Sequence, residues 1–173
     1  MKKLLALLCL MVFNFGYSQE KETASFNKNE IKGNALFLVV GALEITYEHL
    51  LNDESGVGVS LFVPYDNNID TKFSLTPYYR FYFGKKPAAG FFAEGFGMIN
   101  SYEYNNNNYY NGNTNSGNKT DFALGFGIGG KWITKKGFVF EINSGVGRNL
   151  FNSNDNDYQI VGRGGIVLGY RFK

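Results

Sequence analysis

From Ile160 to Phe172 every second residue is apolar, aromatic or glycine: Ile160, Gly162, Gly164, Ile166, Leu168, Tyr170 and Phe172. Between them stand Val161, Arg163, Gly165, Val167, Gly169 and Arg171. A period of two is the pattern of a β-strand, whose successive side chains leave opposite faces; a helix repeats at 3.6. Both arginines fall on one face and the other carries no charge. Any fold for this chain must give the uncharged face apolar surroundings and find a place for the arginines.

The same alternation recurs through the chain. It predicts strands over Ile31–Val39, Leu43–Leu51, Val57–Tyr65, Leu75–Phe83, Phe91–Tyr102, Phe122–Ile133 and Phe138–Gly147, with Ile160–Phe172 as the eighth. The connections alternate in length. Asn52–Ser55, Gly84–Ala88 and Thr134–Gly137 are short, whereas Asp66–Lys72, Asn105–Asn118 and Leu150–Asp157 are longer and polar. Short turns at one end and long polar loops at the other are the pattern of an outer-membrane barrel. The expectation is an all-β, eight-stranded antiparallel up-and-down transmembrane β-barrel of a Gram-negative bacterium, occupying residues 31–173. The first external turn falls near Val40–Gly41. With a short turn at Asn52 placed in the periplasm, one outward strand must precede Leu43–Leu51, so both termini are periplasmic.

Residues 1–19 read as a secretory signal peptide: Lys2 and Lys3, then an apolar run from Leu4 to Phe15, then Gly16 to Gln19. The run is too short for a membrane helix, which needs roughly 20 residues. Cys9, the one cysteine, leaves with it, so the mature chain has neither disulfides nor thiol chemistry. Residues 20–30 read as a polar periplasmic leader. Removal of Lys2 and Lys3 brings the formal charge of +2 to zero, and no basic field is left to attract nucleic acid.

In a membrane barrel the outward face is apolar and the inward face polar. Glu44, Glu48, Arg80, Glu94, Lys131, Glu141, Arg163 and Arg171 all fall on inward faces, and Lys32 joins them from the first strand. Glu94 brings Phe92, Phe96 and Met98 inside with it. Charges enclosed at low dielectric need partners, so these residues are expected to form an ion-paired network that fills the barrel. Interior glycines leave room for their long side chains. Eight strands leave space for side chains or one small ligand, and a continuous pore is not expected. Tyr47, Tyr79, Phe81, Phe83, Trp132, Phe138, Tyr170 and Phe172 lie near the periplasmic strand ends, where an aromatic girdle belongs. A soluble secreted barrel would instead bury this surface, and would leave the inward charges unexplained.

The segment IKGNALFLVVGALEITYEHLL, from Ile31 to Leu51, contains Asn34, Gly41 and Tyr47–Glu48. FSLTPYYRFYFGKK contains Pro77 and Tyr79–Arg80–Phe81–Tyr82, GFFAEGFG contains Phe92 and Glu94, and the chain ends in Gly169–Tyr170–Arg171–Phe172. Together these resemble a DUF3575-type family of small outer-membrane β-barrels found largely in Bacteroidetes. Lys173 departs from the usual barrel ending, in which the aromatic is last. The resemblance implies a location and a fold, with the outer-membrane lipid, lipopolysaccharide and barrel assembly machinery as partners. It implies no activity.

Two other functions are open to a chain of this kind. A lipid-modifying outer-membrane enzyme needs a histidine within reach of a nucleophile near the external leaflet. His49 is the sole histidine, it falls at the periplasmic end, and Ser60 is the nearest strand serine in sequence. The bland role, an interfacial or turn histidine, is expected. A binding or adhesion protein would use the Tyr- and Asn-rich external loop, with Tyr102, Tyr104, Tyr109 and Tyr110 contacting an external glycan or protein. Asp53–Glu54 and Asp155–Asp157 are short acidic loop patches. Asp155 and Asp157 could touch calcium or a bridging cation, but a solvated loop is the expected role. GFGIGGK at Gly125–Lys131 resembles a phosphate loop superficially, but it lacks the GKS or GKT ending and alternates as a strand. No catalytic, metal or cofactor site is therefore expected.

Overall fold

The computed structural model describes residues 26–107, 114–151 and 159–173. The expected signal peptide, most of the leader, Tyr109, Tyr110, Asp155 and Asp157 lie outside these residues. The elements are β1 (Asn29–Asn34), α1 (Ala35–Val40), β2 (Ala42–Leu50), β3 (Ser55–Pro64), β4 (Thr71–Tyr82), β5 (Gly90–Asn107), β6 (Thr114–Ile133), β7 (Phe138–Asn149) and β8 (Ile160–Phe172). Each strand pairs antiparallel with its sequence neighbours, and β1 pairs with β8 from Asn29↔Phe172 to Asn34↔Val167. The result is a closed eight-stranded up-and-down β-barrel. Both ends of the barrel sequence, Asn29 and Phe172, lie at the short-turn end.

Most strand boundaries shift by one or two residues, β4 begins four residues early at Thr71, and two larger differences from the sequence expectation stand out. The expected first strand, Ile31–Val39, is half strand and half helix. β1 begins two residues earlier, so Asn29 and Glu30 belong to the barrel and not to the leader. Phe26 also packs against the cluster of Leu50, Tyr82, Ala88 and Phe92, and Leu50 N donates to Lys28 O at 2.7 Å. β1 stops at Asn34, whose side chain accepts from Phe37 N at 3.4 Å as an N-cap. α1 closes at Gly41, whose φ of 111° is the left-handed C-cap conformation that glycine adopts without strain. The run Ala35–Val40 is apolar throughout, so periodicity cannot tell strand from helix there.

The second difference is in β5 and β6, which extend through most of the polar run expected as a loop. They pair out to Asn107↔Thr114. A run that is polar throughout shows no apolar alternation, so nothing in the sequence marks it as strand. The β4–β5 register slips between Thr71 and Phe73, a bulge near the long-loop rim. Lys72, within the bulge, forms an exposed ion pair with Glu103 at 2.6 Å.

The outward positions of Ile31, Leu43–Tyr47, Val57–Val63, Phe73–Phe81, Phe91–Ile99, Phe122–Trp132, Phe138–Val146 and Ile160–Phe172 carry no Asp, Glu, Lys or Arg, and Arg148, level with Leu124 and Ile160, is the charge that ends this band on β7. Leu, Ile, Val and Phe residues on these strands are exposed, as is Trp132 at 56%. Aromatic rings meet on the outside of the short-turn end: Trp132 with Phe140 at 5.5 Å, Phe138 with Tyr170 at 5.5 Å, and Phe81 with Phe83 at 5.2 Å. The inside is packed large against small. Tyr78 lies over Gly58, Phe92 over Gly129 and Lys32 over Gly169, each where a Cβ would collide. Gly58→Leu is expected to cost at least about 1–3 kcal/mol through overpacking, read as a lower urea midpoint of the folded barrel in vesicles.

Candidate functional site

The inward faces of β1, β2, β4, β5, β6, β7 and β8 bring ten charged side chains into the barrel: Glu30, Glu44, Glu48, Glu94 and Glu141 with Lys32, Arg80, Lys131, Arg163 and Arg171. The formal charges of these ten cancel; Asp121, also buried on the inward face of β6 nearer the long loops, adds one further carboxylate. Strand register sets the pairings, because each of these residues faces inward at a height fixed by its ladder.

Glu48, fully buried, is the hub. It accepts from Tyr78 Oη at 3.0 Å, Arg80 Nη1 at 3.2 Å and Lys131 Nζ at 3.3 Å, and from Lys32 Nζ and Tyr82 Oη in tighter contacts. Glu141 binds Lys32 Nζ at 2.8 Å, Arg80 Nη1 at 3.0 Å and Lys131 Nζ at 3.2 Å. Glu30 holds Lys131 Nζ at 2.8 Å and Arg171 Nη2 at 2.7 Å. Glu94 holds Arg80 Nη2 at 2.8 Å and lies 3.3 Å from Arg163 Nη1. The Arg80 guanidinium also lies 3.9 Å from the Phe92 ring centroid, a cation–π contact. Isolated buried charges would be costly; here each has an opposite partner or a hydrogen-bonded neighbour.

Glu44 stands apart, half-buried nearer the long loops, where it accepts from Asn34 Nδ2 at 2.6 Å. Arg163 Nη2 donates to Ser60 Oγ at 3.2 Å. Arg171 reaches the opposite way. Its Nη1 and Nη2 donate to Pro87 O at 2.9 Å and Ala88 O at 2.8 Å, tying β8 to the β4–β5 turn. Ala88 and Ala89 are buried, so this turn folds over the short-turn end above Leu50, Tyr82 and Phe92. Charge network and turn together block the bore. The purified protein is expected to give no stable single-channel steps in planar bilayers.

Glu30, Glu48 and Glu141 place carboxylate oxygens within 4.8 Å of one another, a spacing that suits a metal ion. The Lys131 ammonium already occupies the middle of that group, so a lysine supplies the positive charge a metal would bring. Glu30 was hidden in the sequence because it precedes the first clear alternation. Its spacing of two from Lys32 was the signal that both share a face. Tyr78 and Tyr82 share the Arg80 face in the same way.

The other sequence candidates separate. His49 Nδ1 lies 2.9 Å from Asn29 Oδ1 at the short-turn end. Ser60 faces the interior and bonds Thr46 Oγ1 at 2.8 Å. The ladder pairs His49 with Val57, three residues from Ser60, so the two do not form a catalytic pair. Gly125, Gly127 and Gly129 sit inside β6 against Phe96, Glu94 and Phe92, not in a phosphate-binding loop. Tyr102 is not an external contact residue: it lies in β5, 3% exposed, against the interior. Tyr104 also lies in β5, short of the hairpin tip.

A family described as "Protein of unknown function (DUF3575)" matches residues 4–171. This chain belongs to the DUF3575 family. Among curated proteins none gives a significant match. Among solved structures, this DUF3575 chain is similar to the N-terminal β-barrel domain of Pseudomonas aeruginosa OprF. The TM-score is 0.62 at 14% identity, over 84% of this chain and 98% of that one. At that identity the likeness concerns the barrel fold.

Proposed function

We propose that this chain is a small outer-membrane protein of a Gram-negative bacterium of the Bacteroidetes kind, with both termini in the periplasm. Its role is structural or surface-interacting, and its side-chain-filled interior has no catalytic duty. The observation that carries this reading is the inversion of polarity: eleven charged groups inside, Asp121 among them, and outside a band free of acidic and basic side chains from the short-turn end up to Arg148. Such an exterior suits hydrocarbon, since monomeric soluble proteins rarely expose apolar patches beyond a few hundred Å². Closure supports it as well, because an open sheet edge cannot stand in lipid. Lipid, lipopolysaccharide and the barrel assembly machinery are then the partners, and residues 1–19 the export signal.

Fractionation combined with gel electrophoresis tests the reading. The protein is expected in the outer-membrane fraction, migrating faster unheated than boiled. Recovery in the soluble periplasm, with no heat-dependent shift, would overturn it.

The β5–β6 hairpin favours a second role alongside the first. These two strands are the longest in the barrel, at 18 and 20 residues, and pair out to Asn107↔Thr114 past the Lys72–Glu103 rim. A hairpin held this far out suits contact with an external glycan or protein. Deletion of residues 106–115 is expected to reduce glycan or cell adhesion while leaving heat-modifiability intact. Unchanged adhesion would remove this role.

A further inference from the structure

β1 is too short for its place in the wall. Six residues at about 3.3 Å each, tilted about 40°, climb roughly 15 Å, whereas a membrane barrel presents an apolar band of about 25 Å. Above Asn34, the Ala42–Glu44 edge of β2 and the Ile160–Ile166 edge of β8 have no β1 beside them. α1 fills the gap, packing against both strands. Its Leu36, Leu38, Val39 and Val40 are exposed, Val39 at 87%, and it carries no charge. The wall at this height is therefore a short helix and not a ladder.

Asn34 fastens it. Its amide donates to Glu44 Oε2 at 2.6 Å on β2 and to Gly164 O at 3.1 Å on β8, while its Oδ1 caps α1.

Behind α1 lies a cavity of about 210 Å³. On the seam side it is lined by Phe37 of α1 and by Ile160 and Gly162 of β8. Val161 and Arg163, on the inward face, line it too, so the cavity runs along the β8 backbone beside α1 and up to Thr71, Tyr102 and Asn149 near the long-loop rim. Across the barrel its lining is Phe62 of β3, Ser74 and Thr76 of β4, and Met98 and Asn100 of β5. Glu44 and Arg163 also line it, and their charges offset. The space is thus apolar at the seam, lined at the far wall by hydroxyl and amide groups beside Phe62 and Met98, and neutral overall. At about 30 Å³ per water-sized group it has room for roughly seven such groups.

We infer that the seam between α1 and β8 is an entrance from hydrocarbon, and that the cavity takes the hydroxyl-bearing head and first carbons of a single-chain neutral amphiphile. The head meets Ser74, Thr76 and Asn100, and the chain leaves past Phe37 into the lipid. This rests on the reading that the barrel's outer face meets lipid.

The test uses tryptophan quenching by brominated lipid in phosphatidylcholine vesicles. Wild-type protein reports on the outer face through Trp132. The F62W/W132F protein reports on the cavity, which Phe62 also lines. Dibrominated monoacylglycerol is expected to quench F62W/W132F saturably, and dibrominated phosphatidylcholine at the same mole fraction to quench it much less. T76F in that background is expected to abolish the saturable part. Equal, non-saturating quenching of F62W/W132F by both lipids, with wild type quenched normally, overturns the entrance and leaves the membrane reading standing. If Trp132 is quenched by neither lipid, both fail. Should F62W not show a heat-dependent gel shift, M98W at another lining position takes its place.

Discussion

Glu48→Gln lowers the stability of the folded barrel by about 3–5 kcal/mol, the cost of leaving a buried ion cluster short of one charge. The substitution keeps the shape of the side chain and removes one negative charge. Lys32, Arg80 and Lys131 all contact Glu48; without its charge Lys32 and Lys131 depend on Glu141 and Glu30, and Arg80 on Glu141 and Glu94. None can turn to water: each of these side chains is at most 1% exposed. Urea unfolding in lipid vesicles measures the loss as a shift in midpoint. Lys72→Ala is the matched control, since the Lys72–Glu103 pair is about 40% exposed; its effect is expected below about 1 kcal/mol. An E48Q midpoint within the range of K72A would show that the interior is hydrated enough to dispense with the hub.

Ile128→Arg carries the second large effect. Ile128 is 53% exposed on the outward face of β6, two outward positions from Trp132 and flanked by Phe126. An arginine facing lipid near the middle of a barrel wall costs about 2–4 kcal/mol, falling toward the interfaces. The same change on a water-facing surface stays within about 0.5 kcal/mol. The two surroundings therefore differ enough for one unfolding curve in vesicles to separate them. An unchanged midpoint would mean that Ile128 faces water, and the membrane reading would lose its main support.

Much of the fold was legible because a barrel strand writes its two faces into alternate residues. β6 is the clearest case, with Phe122, Leu124, Phe126, Ile128 and Trp132 on one side and Lys131 on the other. The illegible parts have physical reasons. Ala35–Val40 is apolar at every position, so its period could not be read, although Asn34 and Gly41 stood at its ends as cap residues. The outer β5–β6 hairpin is polar at every position, which hides a strand equally well. The inward charges could be collected from parity, but not matched. Lys131 meets Glu30 from 101 residues away, and only the register of every intervening ladder brings them level. Asn34 stands out in the sequence only through the family resemblance; its threefold bonding at the seam depends on β2 and β8 arriving beside it.

The clamp of Arg171 on the β4–β5 turn has a kinetic consequence. Its partners Pro87 and Ala88 are 84 and 83 residues away, and its other partner, Glu30, is 141 residues away. Adjacent hairpins can form locally, but these bonds exist only once the last strand has met the first. Until then Glu30, Lys131 and Arg171 face a half-open cleft with unmatched charge. Sealing the cylinder and neutralising its contents are thus one late, long-range event, of the kind that makes folding slow. An incomplete sheet gains little by lingering, and the chain has a strong bias toward finishing.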